Sequence, residues 1–585
     1  MKSFFKTFLA SFLALVIFAV ISLFVLIGII ANATSGDKPT VGRNAVLVLD
    51  MSNQFKEQSQ DNPFNSIINK REEDMPSTYD MVRILHFAKS DSSVRGIYLL
   101  CGNNSNGFGT SEELRKALLD FKKSNKFILA FGETISQKGY YMATAADKIY
   151  CHPQGGVEWS GFSSNLVFLK GMLDKLEIQP QIFYAGKFKS ATEPLRETQM
   201  TEANRLQTSV WMGDLYSNFL EAASLSRNID SAKLRNLAFT GSIQTAHDAL
   251  SNGLVDGLKY DDQIKNEITK KLQISENSKI NFVNFAEYAK AVNYKETHGQ
   301  KKIAIIYADG DIVSGSGDNE AVGSDAFKVL IRKLRLDKDI KAILLRVNSP
   351  GGSALASDVI WREISLTRKE KPVVVSMGNV AASGGYFISC NVDSVFANAN
   401  TITGSIGVFS IVPNFQQFFK NKLGITFDGV KTAPFADMGS GDRPLNETEK
   451  RFFQAGTDSV YFTFKTRVAE GRKKSLSNID SIAQGRVWTG SRALGVGLVD
   501  KIGTMQDALD CAARLANLKE YTLKEYPEKK SLLDQIIYGY KKSIKKDLLK
   551  DEIGIEQMHL LEEIKQVKQM MGVPQARIPY SININ

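Results

Sequence analysis

At 585 residues the chain is longer than one hydrophobic core usually serves, so two or more domains are expected. Its net charge of +10 comes from 73 basic residues interleaved with 63 acidic ones, with no zinc spacing, basic recognition helix or aromatic RNA-binding signature. This excludes a nucleic-acid partner and favours a mildly basic exterior facing anionic lipid. The four cysteines, Cys101, Cys151, Cys390 and Cys511, form no C-x-x-C pair, which excludes a disulfide scaffold and a cysteine-based zinc site. They are expected to be buried small hydrophobes, and no metal or cofactor is implied.

The first predicted element is a membrane anchor over residues 1–34. Lys2 and Lys6 precede 24 uncharged residues from Phe8 to Ala31, including LALVIFAVISLFVLIGII. At about 1.5 Å per residue such a helix covers a hydrocarbon core of roughly 30 Å with some tilt. Ala31-Asn32-Ala33 resembles a signal-peptide cleavage site, but the apolar stretch is longer than a cleavable signal needs, which favours an uncut anchor. The two lysines place the short N-terminal end in the cytoplasm and everything after the anchor outside it.

The remainder repeats itself. RGIYLLCGNNSNG from Arg95 recurs as KAILLRVNSPGGS from Lys341, and FGETISQKGYYMATAADKIY from Phe131 recurs as MGNVAASGGYFISCNVDSVF from Met377. The register holds through Gly132/Gly378, Gly139/Gly385, Tyr140/Tyr386 and Asp147/Asp393. Later, FTGSIQTAHDALSNGLVDGL at Phe239 matches WTGSRALGVGLVDKIG at Trp488 with a small gap. Two homologous domains are expected, at 40–290 and 300–525. In each, apolar runs rich in β-branched residues (KIAIIYADGDI, KAILLRVNSP, KPVVVSMGNVA) alternate with helical patterns such as ALASDVIWREISLTRKE. That alternation predicts an α/β fold with buried strands. The tail at 526–585 carries Leu533, Ile536, Ile537, Tyr540 and Ile544 at helical spacing with lysines between, predicting a helix.

The copies differ where chemistry would sit. Ser383, in AASGGYF after an apolar strand, is matched by Gln137, and Pro350-Gly351-Gly352 by Asn104-Ser105-Asn106. A small-residue turn from strand to helix presents the Ser383 hydroxyl and the Gly384 N–H to one cleft, where the helix N-terminus favours a developing oxyanion. Gly351 or Gly352 supplies the second donor, since close approach of backbone to substrate favours residues without a Cβ. The five histidines are His86, His152, His247, His298 and His559, and none lies between residues 300 and 525. A Ser-His-Asp arrangement within the second domain is thereby excluded. The remaining base is a lysine kept neutral by burial. Lys189, in YAGKFKSATEP with Ser190 beside it to orient the amine, falls opposite Thr432 in DGVKTAPFAD, so each domain would carry half of the pair. Lys431, one residue away, would make the second domain self-sufficient, and spacing does not separate the two.

These segments carry a family resemblance. NSPGGS at 348–353, AASGGYF at 381–387, GKFKSATEP at 186–194 and TGSIGV at 403–408 resemble the long, two-domain form of bacterial signal peptide peptidase A over nearly the whole chain. The resemblance implies tandem Clp-protease/crotonase-like domains and a Ser/Lys dyad of Ser383 and Lys189. The degenerate domain supplies the lysine, and Phe188 stands where the family has tyrosine. It also implies a homotetramer on the outer, periplasmic side of the bacterial cytoplasmic membrane, held by a single span, that degrades cleaved signal peptides. Two other classes compete: a crotonase-type acyl-CoA enzyme on the same fold, against which the anchor and Ser383 count, and a non-catalytic membrane scaffold of two inactive copies.

Overall fold

The computed structural model describes residues 2–34, 39–59, 75–276, 278–295, 299–317, 321–528 and 570–578. Most of the tail, including the expected helix around Leu533 to Ile544, lies outside these residues, as do His298 and His559. The chain begins as a helix, Lys2–Thr34. Among the described residues no helix is long and apolar enough to cross a membrane.

Two sheets dominate the rest, the first all parallel and the second parallel except for its edge strand Val487–Thr489. The first runs in the order Gly257–Leu258, Lys148–Val157, Phe127–Ile135, Val94–Leu100, Ala45–Asp50, Phe282–Asn284. The second runs Val487–Thr489, Ile402–Gly404, Val373–Ala382, Ile340–Ser349, Lys302–Asp309, Thr522–Tyr526, with Ser394–Ala397 also on Val373–Ala382. Its central strands are buried on both faces, which is why they read as unbroken apolar runs rather than alternating ones. The α/β architecture and the tandem repeat are those the pattern predicts. All four cysteines are free and buried.

The copies keep the same internal braces. Tyr140 donates its hydroxyl to the Leu254 carbonyl at 2.6 Å, and Tyr386 donates to Leu498 at 2.9 Å. Arg227 ties the Gly253 carbonyl to Asp256, and Arg472 does the same between Gly497 and Asp500. Each arginine clamps the loop that its copy's tyrosine also holds.

The halves are interlocked. Strand Gln179–Ala185, from the first half, pairs antiparallel along its whole length with Val408–Asn414 of the second. Helix Phe108–Lys122 docks end-on: Glu112 accepts from the backbone N–H groups of Ala399 and Asn400 at 3.1 and 3.0 Å, and Asn379 accepts from the Thr110 N–H at 2.9 Å. Below it the fully buried guanidinium of Arg346 pairs with Glu57 at 2.8 Å and Glu113 at 2.7 Å, both from the first half. Two carboxylates hold that arginine above even its usual basic range despite burial. Truncating one member of such a cluster strands the others unpaired in a dry interior. Arg346→Ala is therefore expected to lower unfolding stability by about 3–5 kcal/mol, measured by denaturant titration of the purified protein. A change below about 1 kcal/mol would show that water reaches these carboxylates.

Candidate active site

Ser383 stands at the junction of strand Val373–Ala382 and helix Gly384–Ser389. Its backbone takes φ 55° and ψ −113°, outside the range an ordinary residue prefers, at a cost of about 1–3 kcal/mol. The Ser383 N–H donates to the Gly404 carbonyl at 2.8 Å, and its carbonyl accepts from Phe387 N–H at 2.8 Å, so sheet and helix together hold the turn. Gly385 packs on the Ser349 carbonyl, where a Cβ would come within 2.6 Å. In the first copy the strain is gone: Ser136 is a regular N-cap at φ −66°, and Gln137 folds its amide onto both backbone groups of Gly161 at 2.9 Å.

The Lys189 amine reaches this turn from the other half. It donates to Ser383 Oγ at 2.8 Å, to Ser405 Oγ at 3.1 Å and to the Ser405 carbonyl at 3.2 Å. Lys189 is 1% exposed and Ser383 is 0% exposed. No carboxylate pairs with this amine among the described residues, and burial alone holds it well below the usual lysine range. A neutral amine against a serine hydroxyl is the arrangement that general-base activation requires.

Long-range contacts place the lysine. Strand Gln179–Ala185 delivers the chain, and Gly186 at φ 115° turns it back. The Phe188 N–H donates to the Gln484 carbonyl at 2.7 Å. Gln207, on helix Glu202–Arg227, donates to the Phe188 carbonyl and to Ser190 Oγ, both at 3.0 Å, and accepts from Val487 N–H at 3.2 Å. The Ser190 hydroxyl, expected to orient the amine, thus serves Gln207, and the orienting hydroxyl is Ser405. Lys431 is not in this site: it is 41% exposed and paired with Asp437.

Of the glycines singled out as donors, Gly384 opens the helix after Ser383 and Gly351 lies against it, a Cβ on Gly351 coming within 2.7 Å of the Gly384 nitrogen. The Gly351 N–H is taken by Ser349 Oγ at 3.2 Å, and Gly352 sits between Ile312 on one side and Ala576 on the other. Ser405 and Gln207 were not found from sequence. Ser405 lay inside the quoted TGSIGV segment, and Gln207 sits in a helix with no local signal of its role.

A strained serine on a strand-to-helix turn, within a parallel α/β scaffold, defines a Clp-type serine peptidase, and the Clp protease family profile matches residues 295–402. More specifically, the chain belongs to Peptidase family S49, whose profile matches twice, at 120–275 and 365–519, once in each copy. It is similar to Protease 4 of Salmonella typhi, 38% identical over 79% of this chain and 75% of that protein. The chloroplastic serine protease SPPA of Arabidopsis thaliana is 32% identical over 78% of this chain and 69% of its own length. A putative signal peptide peptidase SppA of Enterococcus faecium is 35% identical over 40% of this chain and 69% of that protein.

One glycine tests how tightly the lysine is held. Gly485, at φ 74°, packs so closely that a Cβ would fall 2.7 Å from the Lys189 Cβ and 2.7 Å from its backbone nitrogen. Gly485→Ala combines that clash with backbone strain. It is expected to lower stability by about 1–3 kcal/mol in thermal or denaturant melts. An unchanged melt would mean the Lys189 segment yields freely.

Proposed function

We propose that this serine protease is a membrane-anchored endopeptidase with a Ser383/Lys189 dyad that degrades cleaved signal peptides at the cytoplasmic membrane. The observation that carries the reading is the 2.8 Å contact between Ser383 Oγ and a buried amine lacking any acidic partner among the described residues. Neutral Lys189 Nζ takes the proton as Ser383 Oγ attacks the peptide carbonyl. The oxyanion forms against the N–H groups of Gly384 and Gly352. Lys189, now charged and steadied by the Ser405 carbonyl and hydroxyl, returns the proton to the departing amine. A water activated by the same lysine then releases the acyl group.

The substrate class is supported by the name of the Enterococcus faecium relative, a signal peptide peptidase, and by the uncharged stretch Phe8 to Ala31, which would hold the protease where apolar peptides remain after export. The lysines at positions 2 and 6 orient it with both copies on the outer side. Resemblance to the family supports assembly of four copies around one cavity. A crotonase-type enzyme has no use for a strained serine facing a neutral lysine.

Ser383→Ala is expected to abolish fluorophosphonate labelling and peptide cleavage, and Lys189→Ala to cut kcat/KM by about 10²–10⁴-fold. Normal turnover by Lys189→Ala would end the dyad assignment. The sign of the pH dependence follows from the depressed amine. Activity is lost in acid as Lys189 protonates and rises to a plateau well before the ordinary lysine value of 10.5. A pH–kcat/KM profile still climbing at that value would contradict a desolvated base.

A further inference from the structure

A chain of buried polar side chains leads away from the lysine loop into the first half. Glu193, Asn204 and Gln207 are each at most 2% exposed. Asn204 and Gln207 lie three residues apart on one face of helix Glu202–Arg227. Glu193 accepts three hydrogen bonds: from Thr201 Oγ1 at 2.6 Å, from the Thr201 N–H at 3.2 Å and from Asn204 Nδ2 at 2.8 Å. That acceptor fixes which end of the Asn204 amide is its nitrogen. Asn204 Oδ1 is left to face Gln207 Nε2 at 3.2 Å. Gln207 then aims its nitrogen at the lysine loop, where the Phe188 carbonyl and Ser190 Oγ both accept at 3.0 Å. Its oxygen faces the other way and accepts from the Val487 N–H at 3.2 Å, a donor that a flipped amide could not serve.

The two ends of the Gln207 amide touch the two sides of the reaction centre. Phe188 and Ser190 flank the base, so the nitrogen grips the chain on both sides of Lys189. Val487 lies opposite Gly404 in the second sheet, and the Gly404 carbonyl holds the Ser383 N–H at 2.8 Å. Arg486, next to Val487, takes the Ser405 N–H on its carbonyl at 2.7 Å. Ser405 in turn holds the Lys189 amine through its hydroxyl and its carbonyl, with its own backbone at φ 50°. One amide therefore sets the spacing between the base and the strand from which the nucleophile's turn is hung. The charged groups around this chain are Lys187 and Arg486 on the Phe188 ring, and Glu193 with Arg196 at its far end. None of them makes an ion pair or hydrogen bond with the Lys189 amine among the described residues.

We infer that Gln207 is a positioning residue for the reaction, holding Lys189 Nζ at hydrogen-bond distance from Ser383 Oγ and the lysine loop closed against water. Glu193 and Asn204 act through it by fixing the direction of its amide. A buried polar network specifies one arrangement when all its members are satisfied, and here each amide end has its partner. A reacting group displaced by about 1 Å loses on the order of 10²-fold in rate. Without the grip the loop parts from Val487, water reaches the amine, and the ammonium form is favoured again. The inference rests on the dyad reading of Ser383 and Lys189.

The test uses the full-length protein with two substitutions. Gln207→Met keeps the side chain's length and removes its hydrogen bonds; Gln207→Glu keeps an oxygen for Val487 and loses the amide donor. For parent and variants, kcat and KM on a fluorogenic peptide are measured across the pH range, together with the melting temperature. Both variants are expected to lower kcat at neutral pH by about tenfold or more, with KM within about twofold of the parent. Both should also move the acid limb of kcat upward by roughly half a pH unit or more, since water or a new carboxylate favours the charged amine. A fall in kcat with an unmoved limb marks a structural brace and overturns the inference. So does a variant that keeps the parent's kcat and limb. If Gln207→Met melts early, Gln207→Glu decides alone. Lys189→Ala is the control for the dyad itself. Turnover by Lys189→Ala at the parent's rate brings down the dyad reading and this inference with it. With Lys189→Ala inactive and the limb unmoved in the Gln207 variants, only the role of Gln207 falls.

Discussion

The contact between the Lys189 amine and the Ser383 hydroxyl sets the terms for the rest of the molecule. A lysine serves as a base only while uncharged, and an amine stays uncharged near neutral pH only where water cannot solvate its ammonium form. The two residues come from different halves of the chain, so the dry contact exists only if the halves are fixed against each other. Full-length pairing of Gln179–Ala185 with Val408–Asn414 fixes the direction of approach. Gln207 bridges the lysine loop to Val487, and Gly485 lets the backbone of one half touch that of the other. Away from the site, the buried cluster of Arg346, Glu57 and Glu113 leaves the halves one arrangement in which every charge is paired.

Duplication explains why a site split this way can exist. Both copies retain the tyrosine and arginine braces that hold the sheet ends, so both fold on one plan. Only the second retains the strained elbow. In the first, Gln137 and Ser136 convert the same junction into an unstrained cap. Strain at Ser383 persists because Gly404, Phe387 and Ser349 hold the turn from three sides, and the first copy, with no reaction to perform, has relaxed.

What could be read from the sequence divides along the same line. The α/β layering, the repeat and Ser383 were legible because each is local: β-branched runs, a register between two segments, a small-residue turn. The absence of a suitable histidine reduced the base to a lysine by counting alone. Lys189 and Lys431 could not be separated, because what distinguishes them is burial, and burial was decided by a strand pairing across more than two hundred residues. In the fold one is sealed and the other forms a surface pair with Asp437. Ser405 and Gln207 were missed for that reason. The strand at Gln575–Arg577 left no signal, since three residues have no periodicity to detect.

If Lys189 is the base, two demands on the site conflict. The amine must be dry, yet the serine beside it must be open to a peptide. Strand Gln575–Arg577 fills a slot one strand wide between Gly351–Ser353 and Val408–Asn414 and completes the ladder there. The occupant satisfies the edge N–H and carbonyl groups that water would otherwise solvate, and so removes the water that would charge Lys189.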